Sequence, residues 1–290
     1  MGIDIHAFNF LRMQAIREPL GNTLTIGRQS LSVSRDYISE QLGIELGYGD
    51  GYCESLLVNL TATNFASIDY SDYESPTYVG DLNSRIEIDE QFETIVDAGS
   101  LEHIFDTAAA FRNLIRFCKL GGRVIHILPV NNLGGHGFWQ FSSDLMYSIY
   151  SVDNGFSDTE VYYASGLDFN NWYKTPKAKP GKRIEIVSIE PVILLCVTRK
   201  VAEIDVINVV QPFYKRAWDE SDVSAIENRN VENRTVVIAK RLLKGRGVVR
   251  NLFRDAALVF GLAFGRSRFS IKHRRFERVR VKELFEGLPK

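Results

Sequence analysis

The chain of 290 residues is 45% hydrophobic and close to neutral overall, which excludes an intrinsically disordered protein and leaves enough material for one sizeable core. The charge is unevenly divided: residues 234–290 carry 16 Lys/Arg against 4 Asp/Glu, a net of +12, and residues 1–233 carry 19 against 32, a net of −13. Three scattered cysteines without Cys or His partners at ligand spacing argue against a disulfide framework and give no sign of zinc or another metal, and no apolar run approaches the roughly 18 residues of a membrane span.

In chain order, residues 22–26 are the first strand candidate and stop at Gly27-Arg28-Gln29. Residues 34–42 have helical spacing with Gly43 as a stop, 47–50 form a turn-rich break, and 54–60 a short helix. A second strand, 66–68, ends at Asp69, where an acidic side chain can accept both hydroxyls of a ribose. Asp72 and Glu74 compete for that role, and Asp72 would equally serve as a helix cap. The gap of 42 positions from Gly27 to Asp69 is about twice that of the dinucleotide pattern, which disfavours an NAD site.

Residues 78–82 are a third short strand carrying Asp81, and 94–96 a fourth that runs into Gly99-Ser100. A helix with core-facing Phe111, Leu114 and Phe117 is expected to end at Gly121-Gly122, and the strand 124–128 to stop at Pro129. Strand, helix and strand with short connections predict a right-handed crossover in a parallel sheet, whose ligands lie beyond the carboxyl ends of the strands. Both polar clusters, 99–103 and 131–140, fall at such ends. Residues 161–164 and 191–198 read as the last strands. Between them, 168–181, with Trp172 and Tyr173, is either a lid or a long exposed hairpin. Tyr147 and Tyr150 either line a pocket or pack.

The stretches DAGSLEHIFD (97–106), LGGRVIHILP (120–129) and GHGFWQFSSDLMY (135–147) together resemble the second half of a class I S-adenosylmethionine-dependent methyltransferase. More narrowly, they are similar to a bacterial subgroup that pairs an LEH loop with an HGF(W/Y)QFS motif. The resemblance reaches back through SIDYSDYE (67–74) and GDLN (80–83), and forward to about Trp218. It implies a Rossmann-like α/β fold over residues 1–233, with a mostly parallel seven-stranded sheet that has an antiparallel edge strand. A basic extension, 234–290, would follow. The implied cofactor is S-adenosylmethionine. Gly27 would lie under its methionine part, Asp81 would accept from the adenine amino group, and the Leu82 N–H would donate to the ring. Gly99 and Ser100 would pass beside the sulfonium and ribose. The family usually places an acidic residue and three spaced glycines after the first strand, whereas this chain has only Gly27, followed by Arg28 and Gln29. Arg28 would pair with the cofactor carboxylate or lie on the surface.

Methyl transfer to oxygen or nitrogen requires alignment of donor and acceptor, and often a base for the acceptor proton. His103 and His136 follow strand ends at the expected active face, whereas His6, His126 and His273 read as structural. His136, flanked by glycines and aromatics, is the candidate base, and His103 would brace the cofactor loop through Glu102. Both also admit a purely structural role. The acceptor implied by analogy is a hydroxyl on a small molecule, sugar or glycan.

In the tail, apolar residues from Val248 to Phe264 recur near helical spacing beside Arg246, Arg250 and Arg254. Such a helix would dock on the acidic body or on another copy, or lie on an anionic membrane surface. Nothing in the tail reads bases, which disfavours nucleic acid. The opening residues lack a secretory pattern, so the expected setting is cytoplasmic, at most peripheral to the inner membrane. Two rival readings stay open: a degenerate, non-catalytic relative and a membrane-associated scaffold.

Overall fold

The computed structural model describes residues 2–46, 50–214, 247–265 and 267–287, with backbone alone for 247–254. The first half of the chain forms β1 (Gly2–Ile3), α1 (Ile5–Arg17), β2 (Gly21–Ile26), β3 (Ser30–Leu31), α2 (Arg35–Leu42), α3 (Glu54–Asn59), β4 (Ala62–Asp69), β5 (Tyr78–Val79) and β6 (Phe92–Ala98). Then follow α4 (Thr107–Phe117), β7 (Cys118–Asn131), α5 (Ser143–Ile149), β8 (Phe156–Ser165), β9 (Asp168–Lys174), β10 (Val192–Lys200), α6 (Gly247–Ala263) and β11 (Glu277–Arg280). The main sheet has nine strands in the order β11-β9-β8-β10-β7-β6-β2-β4-β5. The run from β7 to β5 is parallel, and each pairing from β7 out to β11 is antiparallel.

Successive residues of the central strands point to opposite faces, and each face has its own core. Ile95, Val124 and Leu128 pack with Phe111, Leu114 and Phe117 of α4 and Met146 of α5. Val96, Ile125 and Ile127 share the other core with Phe8, Phe10 and Leu11 of α1 and Leu56 and Leu57 of α3. Helix ends are set by short polar side chains: Asp4, Ser34 and Asp106 accept from Ala7, Tyr37 and Ala109 N–H groups, and Gly43 closes α2 in the left-handed region. This is an open, doubly wound α/β sheet of Rossmann-like type.

Several expectations are corrected. Gly121-Gly122 does not stop α4, which ends at Phe117 and passes straight into β7. The register against β6 jumps from Phe92↔Cys118 to Thr94↔Arg123, so 119–122 bulge, and a Cβ on Gly122 would sit 2.9 Å from the Glu93 and Lys119 carbonyl oxygens. Pro129 does not end β7 either. Pairing with β6 extends only as far as Ile127, leaving Pro129 with β10 as its neighbour, at a register shift, where a proline is tolerated. The third strand is shorter than read, covering only 78–79.

Residues 168–174 of the expected lid or exposed hairpin form β9, hairpin-paired with β8 inside the sheet and carrying Trp172 and Tyr173 into the core, so this part is no lid. The sheet exceeds the expected seven strands because β9 and β11 add to it beyond β8. Moreover, β8 and β10 form no simple antiparallel edge, since β10 lies inside the sheet between β7 and β8.

The boundary expected at residue 233 lies outside the described residues, as does Arg246. Farther on, β11 pairs with β9, Ile271 and Phe276 enter the first core, and Val281 enters the second. This part of the basic tail is therefore built into the body. Among the described residues no helix is long and apolar enough to cross a membrane.

Candidate active site

The strand order reverses at β2: β4 and β5 lie to one side of it, and β6 and β7 to the other. In such sheets a crevice opens beyond the carboxyl ends at the switch point. A cleft of about 290 Å³ lies there, walled by the segments that follow β2, β4, β5 and β6. It brings together Gly27, Arg28, Asp69, Asp81, Leu82, Gly99 and Ser100, all seven residues expected to touch a cofactor, and adds His103.

The loop after β2 is held by side chains rather than by further glycines. Gly27 has φ +75°, and a Cβ there would lie 2.9 Å from Ser100 Oγ and 3.7 Å from Asp69 Oδ2. Gln29 turns inward, donating to the Ile26 carbonyl and, at 3.2 Å, to Ser100 Oγ. The Ser100 hydroxyl donates to the same carbonyl at 2.5 Å, and its N–H donates to Asp97. Sequence reasoning gave Gln29 no part, because a glutamine in a glycine position reads as a defect.

Arg28 lines the cleft, yet its guanidinium is already engaged. It pairs with Glu54 at 2.6 Å and Asp50 at 2.5 Å, donates to the Glu74 carbonyl at 2.8 Å, and stacks 3.9 Å from the Tyr52 ring centre. The bond to Glu54 is the largest influence holding its pKa above the usual arginine value. Arg28 thus lines the cleft with two carboxylates already on its guanidinium. Asp69 accepts from the Tyr70 N–H at 2.7 Å and the Arg28 N–H at 3.3 Å, so its carboxylate is oriented at the mouth of β4. Asp81 is exposed and accepts from Asn83 through both its N–H and its side-chain amide. The Leu82 side chain is buried, and its carbonyl accepts from Asn113.

Beside the cleft, the two candidate histidines meet over one carboxylate. The Phe138 and Trp139 N–H groups both donate to the Glu102 carbonyl, at 2.7 and 3.3 Å, which fastens the second loop to the first. A Cβ on Gly137 would come within 2.7 Å of Glu102, so this approach needs glycine. The His103 and His136 rings lie 5.6 Å apart, and their Nε2 atoms stand 3.9 and 3.7 Å from Glu102 Oε1. Glu102 is fully buried. Burial, reinforced by Asp97, pushes its carboxyl up to about 8, and burial likewise lowers the His103 pKa. Sequence reasoning saw Glu102 only as a relay for His103. Its central position depends on the 133–140 turn folding back on it, which no local pattern reveals.

The aromatics that flank His136 do not wall it off from solvent. Phe138 is 70% exposed and Trp139 40%, and with Phe105 (72%) they form a cluster at the surface, while Phe141 packs into the core. The other three histidines lie outside this cluster, each with its own hydrogen-bond partner. His126 is sealed between Asp97 Oδ2 at 2.8 Å and the Tyr150 hydroxyl at 2.6 Å. His6 accepts from the Trp172 indole and faces the Ser165 carbonyl, both at 3.0 Å. His273 accepts from the Arg275 N–H. Tyr147 and Tyr150 pack rather than line the cleft; Tyr147 donates to the Thr175 carbonyl.

No family model matches the chain, and no curated protein matches it significantly. Among solved structures, the N-methyltransferase NodS from Bradyrhizobium japonicum, in complex with S-adenosyl-L-homocysteine, overlays 67% of this chain and 84% of its own, at 12% identity and a TM-score of 0.39. The YcgJ protein from Bacillus subtilis overlays 68% and 99%, at 11% identity and a TM-score of 0.40. Likenesses this distant leave the functional assignment to the chain's own geometry.

Proposed function

We propose that the chain is a class I S-adenosylmethionine-dependent methyltransferase acting on a hydroxyl of a small-molecule, sugar or glycan acceptor. The observation that carries this reading is the convergence of seven residues, spread over 74 positions from Gly27 to Ser100, on one cleft at the topological switch. The cleft suits the cofactor: Gly27 leaves a hollow that a Cβ would fill, and acidic groups follow β4 and β5 where a ribose and an adenine amino group need acceptors. Asp69 would hold the ribose, Asp81 and the Leu82 N–H the base, and Gly27, Gly99 and Ser100 the remainder. When bound, the cofactor supplies an electrophilic methyl group on a sulfonium.

The chain's own part is to align the acceptor and receive its proton. His136, partly exposed to solvent and 3.7 Å from Glu102, is the proton acceptor in this reading, and His103, which lines the cleft, stands beside it. The exposed rings of Phe105, Phe138 and Trp139 offer flat apolar faces beside the histidines, suited to stacking against the C–H face of a sugar ring. The test is incubation with S-adenosylmethionine and a panel of glycans and hydroxylated metabolites, with mass-spectrometric detection of a one-methyl gain. Gain on a hydroxylated acceptor, lost in Asp69→Ala, supports the reading. Cofactor binding without any transfer would leave the non-catalytic alternative.

A membrane-surface role for the tail is a second proposal, motivated by α6. Leu258, Val259 and Phe264 are exposed on or just after this helix, in the basic segment of an otherwise acidic chain.

A further inference from the structure

We propose that Glu102, His103 and His136 form a binding site for a divalent transition-metal cation. Two imidazoles and one carboxylate are a donor set of borderline softness that suits Zn²⁺, Co²⁺, Fe²⁺ or Mn²⁺. One potential donor atom from each of the three residues lies within 4.8 Å of the other two. Donors on metal bonds of about 2.0–2.2 Å stand roughly 3.4 Å apart in a tetrahedral shell. The His136 and His103 Nε2 atoms, at 3.7 and 3.9 Å from Glu102 Oε1, therefore need to close by only a few tenths of an ångström on the carboxylate. Gly135, beside His136 and with open space around it, gives the loop that freedom.

A second observation points to a ligand independently. Glu102 is 0% exposed, and neither of its carboxylate oxygens has a hydrogen-bond partner among the described residues. Buried carboxyl groups are ordinarily paired, hydrogen-bonded or bound to metal, and this one has room for such a partner. Arginine and lysine do not serve here: every ion pair described for Glu102 is to one of the two imidazoles. Asp97, which acts electrostatically on Glu102, is occupied by His126 and the Ser100 N–H, so it would not join the set. The carboxylate thus lies at the floor and the two half-exposed imidazoles at the rim. Three protein ligands leave a coordination position open to solvent or to an acceptor oxygen, as in catalytic rather than structural metal sites. With a cation seated, His136 acts as a ligand instead of a free base, and the bound acceptor hydroxyl loses its proton more readily because the cation stabilises the alkoxide.

The site stands independently of the methyltransferase reading, and its test requires no cofactor. Metal-free full-length protein is titrated calorimetrically with ZnCl₂, and with CoCl₂ while the visible absorption is recorded. The expected result is one equivalent bound, with cobalt ligand-field bands in the visible. Glu102→Gln, His103→Ala and His136→Ala should each weaken binding by more than the roughly 10–100-fold that loss of an outer-shell partner costs. His273→Ala, outside the cluster, should leave it unchanged. The two histidine variants alter partly exposed side chains and keep the test valid if Glu102→Gln fails to fold. Absence of one-equivalent binding, or binding of equal strength in His136→Ala and His103→Ala, would overturn the proposal.

Discussion

Replacing Gly27 with alanine probes the point at which the fold and the cofactor cleft depend on the same atoms. Gly27 has φ +75°, a conformation that costs an L-residue about 1–2 kcal/mol. The new Cβ would also lie 2.9 Å from Ser100 Oγ, so that hydroxyl must leave the Ile26 carbonyl, at a further cost of about 0.5–1.5 kcal/mol. A total of roughly 1.5–3.5 kcal/mol should lower the melting temperature by about 3–14 °C at roughly 2–4 °C per kcal/mol. Because the methyl group enters the cleft, affinity for S-adenosylhomocysteine should fall at least about tenfold, or about 1.4 kcal/mol. Differential scanning fluorimetry and isothermal titration calorimetry read the two effects separately. Ser100→Ala removes the clashing oxygen, so the double variant should lose less than the sum of the single losses, a coupling expected only of residues in contact. Unchanged melting and unchanged affinity in Gly27→Ala would refute the account of this loop.

Other expectations follow from the same geometry. Asp69→Ala should weaken S-adenosylhomocysteine binding by about 1.5–3 kcal/mol per lost charged hydrogen bond, measured calorimetrically with the melting temperature as a control on folding. His136→Ala should lower turnover by roughly 10²–10⁴-fold with nearly constant cofactor affinity, whereas His103→Ala should also weaken affinity because His103 lines the cleft; reversal of these two patterns would exchange the roles. Burial lowers the His6 pKa, against the opposing pull of Asp4, the Ser165 carbonyl and Asp168, so the stability it contributes is present above about pH 6.5 and is lost as the pH falls through its depressed folded value. Denaturant midpoints should therefore drop between about pH 7 and pH 5, and the drop should be shallower in His6→Gln. For the tail, Leu258→Glu with Phe264→Glu should reduce co-sedimentation with anionic vesicles at low salt, and a wild-type protein that ignores such vesicles would leave docking on the body or on another copy.

The parallel half of the sheet and its cleft were legible in the sequence because each wall is local. Gly27, Asp69, Asp81 and Gly99 each follow a short apolar run, and a strand end is a property of a few consecutive residues. Glycine and proline misled where tertiary context overrode them. Gly121-Gly122 looks like a helix stop but serves a bulge, and Pro129 stays in a strand because its neighbour on one side has ended. The outer strands were harder to read, since β9 and β11 pair residues 171–174 with 277–280 across about a hundred positions, and β11 lies in a segment whose charge suggested a surface tail. The partners of Arg28 were out of reach in the same way, since Asp50 and Glu54 stand 22 and 26 positions away. The buried Glu102 beneath two histidines is likewise a product of loop return rather than of spacing.

The central claim, that the cleft at the carboxyl ends of β2, β4, β5 and β6 is a nucleoside-cofactor site, is tested most directly by titrating the full-length protein with S-adenosylhomocysteine in a calorimeter. The account predicts saturable binding with one site per chain and a raised melting temperature, both lost or strongly reduced in Asp69→Ala. Absence of heat and of any thermal shift at millimolar ligand, in protein that melts cooperatively, would contradict it.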